Sequence, residues 1–397
     1  MIDYTYASIV PLIGGETIAM ENVFGKRPEY ILSYSAFKAN DSQLLNYYNN
    51  EVPYHVIDEG NEKSTYVDVV NAVCPCAGLS SLSPSASSSN LANNWMIESA
   101  IYVLGKIKPQ CFWGENAPRL ASKMGEPIVD RLRKIADSNG YTLSLYKTKS
   151  KLHGLSQTRD RSFYFFWKGK SIPYMPFFNR PHERIEDTII NAKTNDSDPM
   201  NVVVNPLIPS ENPFYRYILE ELEGGITHSE FQQKIELSTN PLDYLERKGI
   251  KYDQVAKWMN DNGYHKQATR CNIIHKKLES GGNIMRKTTE IPKNYIGAFV
   301  GHMPMCLTHP IEDRYLTIRE CLSIMKMPSD FQLIGGKRNL NMICQNVPVT
   351  TAEDMASIIK DWLDKKLDQK EVNFAMFDNK TQTSIFEEVQ QTLESFI

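Results

Sequence analysis

The chain has 397 residues, of which 41% are hydrophobic and 23% charged, and its formal net charge is −3. This length can bury a large core and has room for two domains. No run approaches the roughly 18 to 20 apolar residues that cross a bilayer, and the first ten residues lack the basic and apolar regions of a signal peptide. We therefore expect a cytoplasmic enzyme, in a bacterial cell or a virus-infected host, without a membrane partner.

The first 170 residues alternate short apolar runs with helical patterns. We predict strands over 6–10, 29–34, 67–73, 143–146 and 162–167, and helices over 16–22 and 95–108. This alternation indicates an α/β fold, with a mostly parallel sheet and helices on both faces. Ligands of such sheets bind at the carboxyl ends of the strands, where the loops of interest here would gather.

Residues 80–90 form a serine-rich segment directly after Cys76. Serine at this density packs no core, so the segment is either a linker or a lid that closes over a substrate. Both interpretations stay open at this stage.

The composition changes after about residue 170. Residues 168–211 are rich in Pro, Asn and Asp, and 227–278 show polar helical patterns that indicate a helical pair or a helix-turn-helix-like insert. The basic residues between 265 and 287 form either a solvated face or a phosphate-binding one. They are His265, Lys266, Arg270, His275, Lys276, Lys277, Arg286 and Lys287, opposed only by Glu279.

The seven cysteines are scattered along the chain. An odd number without framework spacing argues against disulfides and fits a reducing compartment. Cys74 and Cys76 are too close together for the usual zinc pair, and no second pair follows them. We therefore expect no metal site.

Short motifs in a fixed order carry the functional signal. They are Ser8-Ile9-Val10-Pro11-Leu12-Ile13-Gly14-Gly15, Pro75-Cys76-Ala77-Gly78-Leu79-Ser80, Glu115-Asn116-Ala117, Gln157-Thr158-Arg159-Asp160-Arg161, Arg314-Tyr315-Leu316-Thr317-Ile318-Arg319-Glu320 and Ile343-Cys344-Gln345-Asn346-Val347-Pro348. In this order they resemble the DNA cytosine-C5 methyltransferase family. Only about 168 to 308 lacks a match.

The resemblance implies a covalent mechanism. Cys76 would be the nucleophile that adds to cytosine C6, which makes C5 nucleophilic in turn. Glu115 would meet N3, and Arg159 and Arg161 would brace the site and the cytosine O2. The further residues that would contact the substrate are Ser80, Ser81, Asn116 and Gln157.

The resemblance also implies a Rossmann-like fold that binds S-adenosylmethionine. The residues that would contact this cofactor are Val10, Pro11, Leu12, Gly14, Gly15, Asp58, Pro75, Gln345 and Asn346. Residues 1–168 and 315–397 would form the catalytic domain, and 169–314 a smaller target-recognition domain. The partner would be double-stranded DNA with a flipped cytosine, although one branch of the family acts on transfer RNA, and the enzyme would be a monomer.

The departures from the family pattern gather at the cofactor end. Val10 and Leu12 stand where Phe and Gly are usual, residues 33–35 offer no acid for the ribose, and Gln345 replaces Asn. Three explanations follow. The site binds S-adenosylmethionine through other residues such as Asp58, which is our preferred interpretation; it uses a different one-carbon donor; or the chain is a non-catalytic DNA-binding homologue.

Overall fold

The computed structural model describes residues 3–80, 83, 85–192, 195, 197–282, 284 and 289–388. Ser81, Arg286 and Lys287 therefore lie outside the described residues. Contacts divide the chain into two compact units, the first formed by Met1–His182, Met325–Met327 and Gln345–Ile397, the second by Glu183–Ile324 and Pro328–Cys344. The functional division at 168/169 and 314/315 stays a prediction.

The first unit is built on a nine-stranded sheet. In chain order the strands are β1 Tyr6–Ile9, β2 Ile31–Ser33, β3 Tyr54–Val56, β4 Val69–Ala72, β5 Cys111–Asn116, β6 Tyr141–Lys149, β7 Asp160–Lys168, β8 Ser171–Pro173, β9 Gln369–Glu371, β10 Phe374–Asp378 and β11 Thr383–Glu387. The large sheet has the order β11-β10-β6-β7-β5-β4-β1-β2-β3, and β8 pairs with β9 in a separate ribbon.

The half of the sheet from β5 to β3 is entirely parallel, whereas β7 is antiparallel to β5 and β6. The predicted mixed, mostly parallel sheet is thus confirmed. β3 escapes sequence prediction because it is short and half-exposed. The apolar run at 111–114 continues as strand through Asn116, so Glu115 lies on β5 rather than on a loop.

The helices, in chain order, are α1 Gly15–Phe24, α2 Lys38–Tyr47, α3 Asn94–Tyr102, α4 Glu126–Asn139, α5 Ile185–Ile190, α6 Pro213–Tyr217, α7 His228–Lys234, α8 Pro241–Arg247, α9 Tyr252–Asp261, α10 His265–Glu279, α11 Ile318–Ile324, α12 Leu340–Gln345 and α13 Val349–Leu363. α1 and α4 both end at a left-handed glycine, Gly25 and Gly140, which the backbone turn there requires.

Aromatic side chains fill the centre of the first unit. Trp113 of β5 stacks on Phe165 of β7 at 6.0 Å, and Phe165 stacks on Trp167 at 5.3 Å. Trp362 of α13 meets Trp167 edge-on at 4.9 Å. Strands covered on both faces bury nearly all their side chains, and this explains the continuous apolar run at 162–167.

The second unit has a helical core of its own. Side chains from α6 to α10 pack into one buried cluster, which includes Phe214, Tyr215, Phe231, Leu242, Leu245, Val255, Met259, Cys271 and Ile274. The polar helical patterns at 227–278 therefore correspond to amphipathic helices that bury one side each.

Candidate active site

Cys76 lies in the loop that follows β4. The amide of Val73 donates to the carbonyl of Val10, so this loop starts beside the turn that follows β1. The amide of Leu79 closes a tight turn on the carbonyl of Cys76 at 3.0 Å. A Cβ on Gly78 would lie 2.2 Å from Oδ1 of Asn93, so only glycine fits at this close approach.

A cavity of about 490 Å³ opens beside Cys76. The residues that line it are Leu12, Ala36, Phe37, Asn40, Val73, Cys74, Pro75, Cys76, Ala77, Ser80, Ser83, Glu115 and Gln345. Apart from Gln345 at the end of α12, they follow β1, β2 and β4 or lie near the end of β5, so the cavity occupies the carboxyl edge of the parallel half-sheet, where ligands of such folds bind. Its volume suits a small molecule.

The sheet order gives the cavity two ends. Cys76 and Glu115 follow or end the neighbouring strands β4 and β5, and we call this side the β4–β5 end. Leu12, Phe37 and Asn40 follow the neighbouring strands β1 and β2, and this side is the β1–β2 end. Since strands lie about 4.8 Å apart, the two ends are separated by one to three strand widths.

Buried charges meet at the β4–β5 end. The carboxylate of Glu115 forms an ion pair with the guanidinium of Arg161 on β7, and both side chains are largely buried. Nη1 of Arg161 also donates to the carbonyl of Asp160 at 2.7 Å. A buried carboxylate is tolerated when it is paired in this way, so the ion pair fixes Glu115 in the cavity wall.

These charges act on the thiol of Cys76. Burial raises the pKa of Cys76, and the carboxylate of Glu115 raises it further, whereas the guanidinium groups of Arg161 and Arg159 lower it. Arg159 lies just before β7 and is itself buried, and its carbonyl accepts from the amide of Ser150 at 2.9 Å. The arginine pair therefore favours the thiolate, the reactive form, against burial and Glu115.

The turn between β1 and α1 is strained and closely packed. Val10 and Leu12 both adopt left-handed backbone angles, with φ of 51° and 53°, which residues other than glycine rarely adopt. The amide of Gly14 donates to the carbonyl of Pro11 at 3.0 Å, and the amide of Gly15 donates to Oδ1 of Asn346 at 2.9 Å. A Cβ on Gly15 would lie 2.2 Å from the carbonyl of Val347.

Not every residue predicted from the sequence lines the cavity. Leu12, Pro75, Ser80 and Gln345 do, as do Cys76 and Glu115. The predicted residues absent from the described lining are Val10, Pro11, Gly14, Gly15, Asp58, Asn116, Gln157, Arg159, Arg161 and Asn346. Ser81 lies outside the described residues. The structure therefore brings about a third of the predicted site into the cavity wall, and the others keep their roles as predictions.

Asp58, the predicted substitute for a ribose-binding acid, is engaged elsewhere. Its carboxylate accepts from the backbone amide of Ser35 at 2.8 Å and from the hydroxyl of Ser35 at 2.5 Å, at an exposed position. It thus holds the chain just after β2.

Asn116 and Gln157 are buried and are absent from the described cavity lining. The side-chain oxygen of Asn116 accepts from the amide of Ala117 at 2.9 Å, and its amide lies 4.0 Å from the sulfur of Met96. The amide of Gln157 lies 3.4 Å from the sulfur of Met325.

Comparison with known proteins decides the family. The family model for C-5 cytosine-specific DNA methylases matches residues 4–361, which is most of the chain. The chain belongs to this family. The resemblance of the motifs is therefore confirmed, and with it the enzyme class, a DNA cytosine-C5 methyltransferase. Among curated proteins, no relative matches the sequence.

Solved structures agree with the fold of a DNA methylase. A prophage-encoded Escherichia coli protein described as a DNA modification methyltransferase is similar at a TM-score of 0.56 and 14% identity, over 91% of this chain and 99% of that chain. The Entamoeba histolytica methyltransferase EhMeth is similar at a TM-score of 0.52 and 11% identity, with the same coverage. Identities this low show the shared fold alone.

In this methylase, the chain segment after β2 supplies cavity residues that carry no motif. Ala36, Phe37 and Asn40 line the β1–β2 end, and Trp95 of α3 supports Phe37 from behind, with ring centroids 5.0 Å apart. The position of this segment after a parallel strand is the only signal in the sequence that indicates it.

Two buried acids lie behind the cavity wall of the methylase. Burial raises the pKa of Asp41 on α2 to about 7, against hydrogen bonds from Ser33, Tyr54 and the backbone of Leu12, which lower it. The hydroxyl of Tyr54 donates to Asp41 at 2.9 Å. Burial also raises the pKa of Glu16 on α1 well above its usual range.

Among the residues that the structure describes, no group of three or more His, Cys, Asp or Glu side chains is arranged to hold a metal ion. Within the same residues, no helix combines the length and apolar character needed to span a bilayer.

Proposed function

We propose that this methylase transfers a methyl group from S-adenosylmethionine to C5 of a flipped cytosine in double-stranded DNA, through a covalent bond between Cys76 and cytosine C6. The observation that carries the proposal is the convergence of Cys76 and the Glu115–Arg161 ion pair on one cavity at the carboxyl edge of the sheet. These groups supply a nucleophile, an acid and a cation at one place, as the chemistry requires.

Cys76 would begin the reaction. C5 of cytosine is a poor nucleophile until the thiolate adds to C6 and turns the ring into an enamine. Burial and Glu115 raise the pKa of the thiol, and the guanidinium groups of Arg161 and Arg159 lower it, so the arginines limit the rise that burial causes. The thiol leaves again after a base or water has removed the proton from C5.

Glu115 would stabilise the charge that develops on the ring by hydrogen bonding at N3. Its ion pair with Arg161 holds the carboxyl group in place before the base arrives, and such preorganisation is a large part of catalysis. The guanidinium groups of Arg159 and Arg161 are the candidates to contact O2, as the family pattern predicts.

The side chains of the β1–β2 end support S-adenosylmethionine as the cofactor. Phe37 and Leu12 offer apolar surfaces for a base, and Asn40 and Gln345 offer amides for polar groups of the cofactor. These residues and Pro75 would hold it, and Glu115 is the only carboxylate of the described cavity lining. When bound, S-adenosylmethionine supplies an electrophilic methyl group.

The second unit would recognise the DNA target, as the motif-free segment 169–314 predicts. A duplex hides the cytosine, so the base has to swing out of the stack at a cost of a few kcal/mol before Cys76 can reach it. Ser80 and Ser83 of the serine-rich segment line the cavity and are the candidates to contact the flipped base.

The decisive experiment compares the wild-type chain with Cys76→Ala. After expression in a host without its own cytosine methylation, mass spectrometry of DNA nucleosides should detect 5-methylcytosine with the wild type and none with the variant. Incubation with duplex DNA that contains 5-fluorocytosine should trap the wild type covalently. Product that persists in Cys76→Ala would refute the assigned nucleophile.

A cofactor titration separates the remaining alternatives. Calorimetry should detect binding of S-adenosylmethionine to the wild type. Covalent trapping without such binding would point to a different one-carbon donor, and the absence of both would point to a non-catalytic DNA-binding homologue.

A further inference from the structure

The second unit contains two helices joined by a very short turn. α9 ends at Asp261 and α10 begins at His265, and Gly263 between them takes the left-handed angle φ 82° that the turn requires. The amide of Tyr264 donates to the carbonyl of Met259 at 2.7 Å, and the Tyr264 ring stacks on Trp258 at 6.1 Å. A helix, a turn of three or four residues with glycine and a second helix make up the helix-turn-helix motif.

One side of α10 anchors it to the core. Ala268, Cys271 and Ile274 are buried, and the sulfur of Cys271 lies 3.5 Å from that of Met259 on α9. The pair of helices therefore packs as one piece, and the opposite side of α10 is presented at a fixed orientation within the second unit.

The opposite side carries a row of basic side chains. Lys266, Arg270, Ile273 and Lys277 are exposed and follow the spacing i, i+4, i+7 and i+11, which places them in one line along the helix. We call these four residues the α10 stripe. Ile273 is 61% exposed and lies between Arg270 and Lys277 in this row.

The cations of this surface have no acidic partners among the described residues. Glu279, the only acid of α10, forms its contact with His275 at 3.3 Å rather than with the stripe or with Lys276. Elsewhere in the second unit, by contrast, Arg216 pairs with Glu220 at 2.6 Å and Arg319 pairs with Asp198 at 2.7 Å. Uncompensated positive charge along a helix indicates a polyanionic partner.

We propose that α10 is the DNA-recognition helix of this methylase, with the α10 stripe laid along the major groove of double-stranded DNA. The assignment rests on the proposed function, in which duplex DNA is the substrate. The major groove admits one α-helix, and a helix of 15 residues, about 22 Å long, reaches across it. Lys266, Arg270 and Lys277 contact phosphates at the groove edges.

The exposed polar residues beside the stripe are suited to reading bases. Thr269 and Asn272 lie in the first half of α10, the part of a recognition helix that contacts base edges. Asparagine pairs with adenine in two hydrogen bonds, and an apolar side chain such as Ile273 packs on the methyl group of thymine. Double-stranded RNA has a deep, narrow major groove that a helix does not enter, so DNA is the partner that this surface fits.

The test removes the three cations of the stripe in the full-length chain, as Lys266→Gln, Arg270→Gln and Lys277→Gln combined. Fluorescence anisotropy with a duplex of about 30 base pairs, roughly three helical turns, is measured over a range of salt concentrations. The variant should bind roughly 10- to 100-fold more weakly at low salt, and the slope of log K against log salt should fall by about 2.7, or about 0.9 for each lost phosphate contact.

The matched control removes three exposed lysines from the first unit, as Lys63→Gln, Lys134→Gln and Lys170→Gln combined. It changes the net charge by the same amount, so any general loss of electrostatic attraction appears in both variants. Circular dichroism and thermal unfolding confirm that both variants fold. Binding that weakens equally in the two variants, or unchanged binding in the stripe variant, would overturn the assignment of α10.

Covalent trapping on 5-fluorocytosine DNA separates this inference from the proposed function. A wild type that is never trapped refutes the proposed function. If the wild type is trapped and the stripe variant still binds duplex DNA normally, only the assignment of the recognition helix is refuted. A stripe variant that loses affinity for duplex RNA alone would refute the same assignment. Bisulfite sequencing of plasmid DNA methylated by Asn272→Ala should reveal a relaxed sequence preference next to the methylated cytosine.

Discussion

The two ends of the active-site cavity differ in the kind of side chain that they use. The β4–β5 end combines Cys76 with the buried ion pair of Glu115 and Arg161, whereas the β1–β2 end consists of apolar and amide side chains from Leu12, Phe37 and Asn40. Charge that develops during a reaction has to be met by groups at fixed positions, while a bound small molecule can be held by many different surfaces. Leu12, one of the departures from the family motifs, lies at the β1–β2 end, where the proposed role is contact with a bound molecule.

The largest expected effect on activity comes from a substitution at the β4–β5 end. Glu115→Gln should lower kcat by roughly 10²- to 10⁴-fold, because a neutral amide cannot stabilise the charge that develops on the ring at N3 as the carboxyl group would. Incorporation of tritiated methyl groups into duplex DNA measures the loss. The exposed Glu98→Gln on α3 is the control, and an activity of Glu115→Gln equal to that control would contradict the role of the carboxyl group.

The buried acid behind the β1–β2 end should affect stability. Because the pKa of Asp41 is raised to about 7 from an ordinary value of 3.8, the folded chain keeps a proton that the unfolded chain releases between about pH 4 and pH 7. The stabilising contribution is complete below about pH 4 and is lost as the pH rises to about 7. Asp41→Asn lacks this dependence, so its free energy of unfolding should gain about 2 to 4 kcal/mol relative to wild type across that window.

Urea unfolding at several pH values between about 5 and 8 measures the Asp41 effect. The exposed Asp130→Asn on α4 should follow the wild type at every pH. Parallel pH profiles for wild type and Asp41→Asn would show that burial of this carboxyl group does not affect folding.

A third substitution sharpens the comparison at the β1–β2 end. Leu12→Gly should weaken S-adenosylmethionine binding about 10-fold, because it removes one of the apolar side chains that would hold the cofactor in the cavity. Val10→Gly is the matched control, because Val10 has the same strained backbone but is buried outside the cavity lining. Calorimetry measures the affinity of both variants, and an equal loss in the two would mean that the Leu12 side chain does not hold the cofactor.

The smallest expected effect concerns the reactivity of the thiol. Arg161→Met removes a positive charge that lowers the pKa of Cys76, so the pH profile of alkylation by iodoacetamide should move to higher pH, with a several-fold slower rate near neutrality. Arg161→Lys keeps the charge and should largely restore the profile. If both variants alkylate at the same rate, the charge does not control the thiol.

The sequence predicted the parts of the site whose chemistry demands particular residue types. Cys76 and Glu115 line the cavity as their motifs indicate, and the strands that lead to them, β4 and β5, follow apolar runs. The ends of the strands are harder to predict. The apolar run covers 111–114, but β5 extends to Asn116, because the carboxylate of Glu115 is paired with Arg161 and is accommodated within a buried strand.

The parts that sequence reasoning missed depend on contacts between distant segments. Phe37 and Asn40 follow a strand of only three residues, and no local pattern indicates that they face the same cavity as Gln345, some 300 positions later. Asp58 is a candidate for the missing ribose-binding acid, and the sequence gives no sign that its carboxylate accepts hydrogen bonds from Ser35. Burial of Asp41 likewise follows from tertiary packing, since an aspartate on a helix is ordinarily exposed.

The distribution of the five tryptophans gives the chain a set of internal optical reporters. Trp113, Trp167 and Trp362 are locked in the aromatic core of the sheet, so their emission follows unfolding of the first unit. Trp95 contacts Phe37 in the cavity wall and should respond when a ligand enters the β1–β2 end. Trp258, stacked on Tyr264 at the turn before α10, is the sole tryptophan of the second unit. Trp95 at the cavity and Trp258 before α10 are thus natural probes for the two proposals, the cofactor site and the recognition helix, without an attached dye.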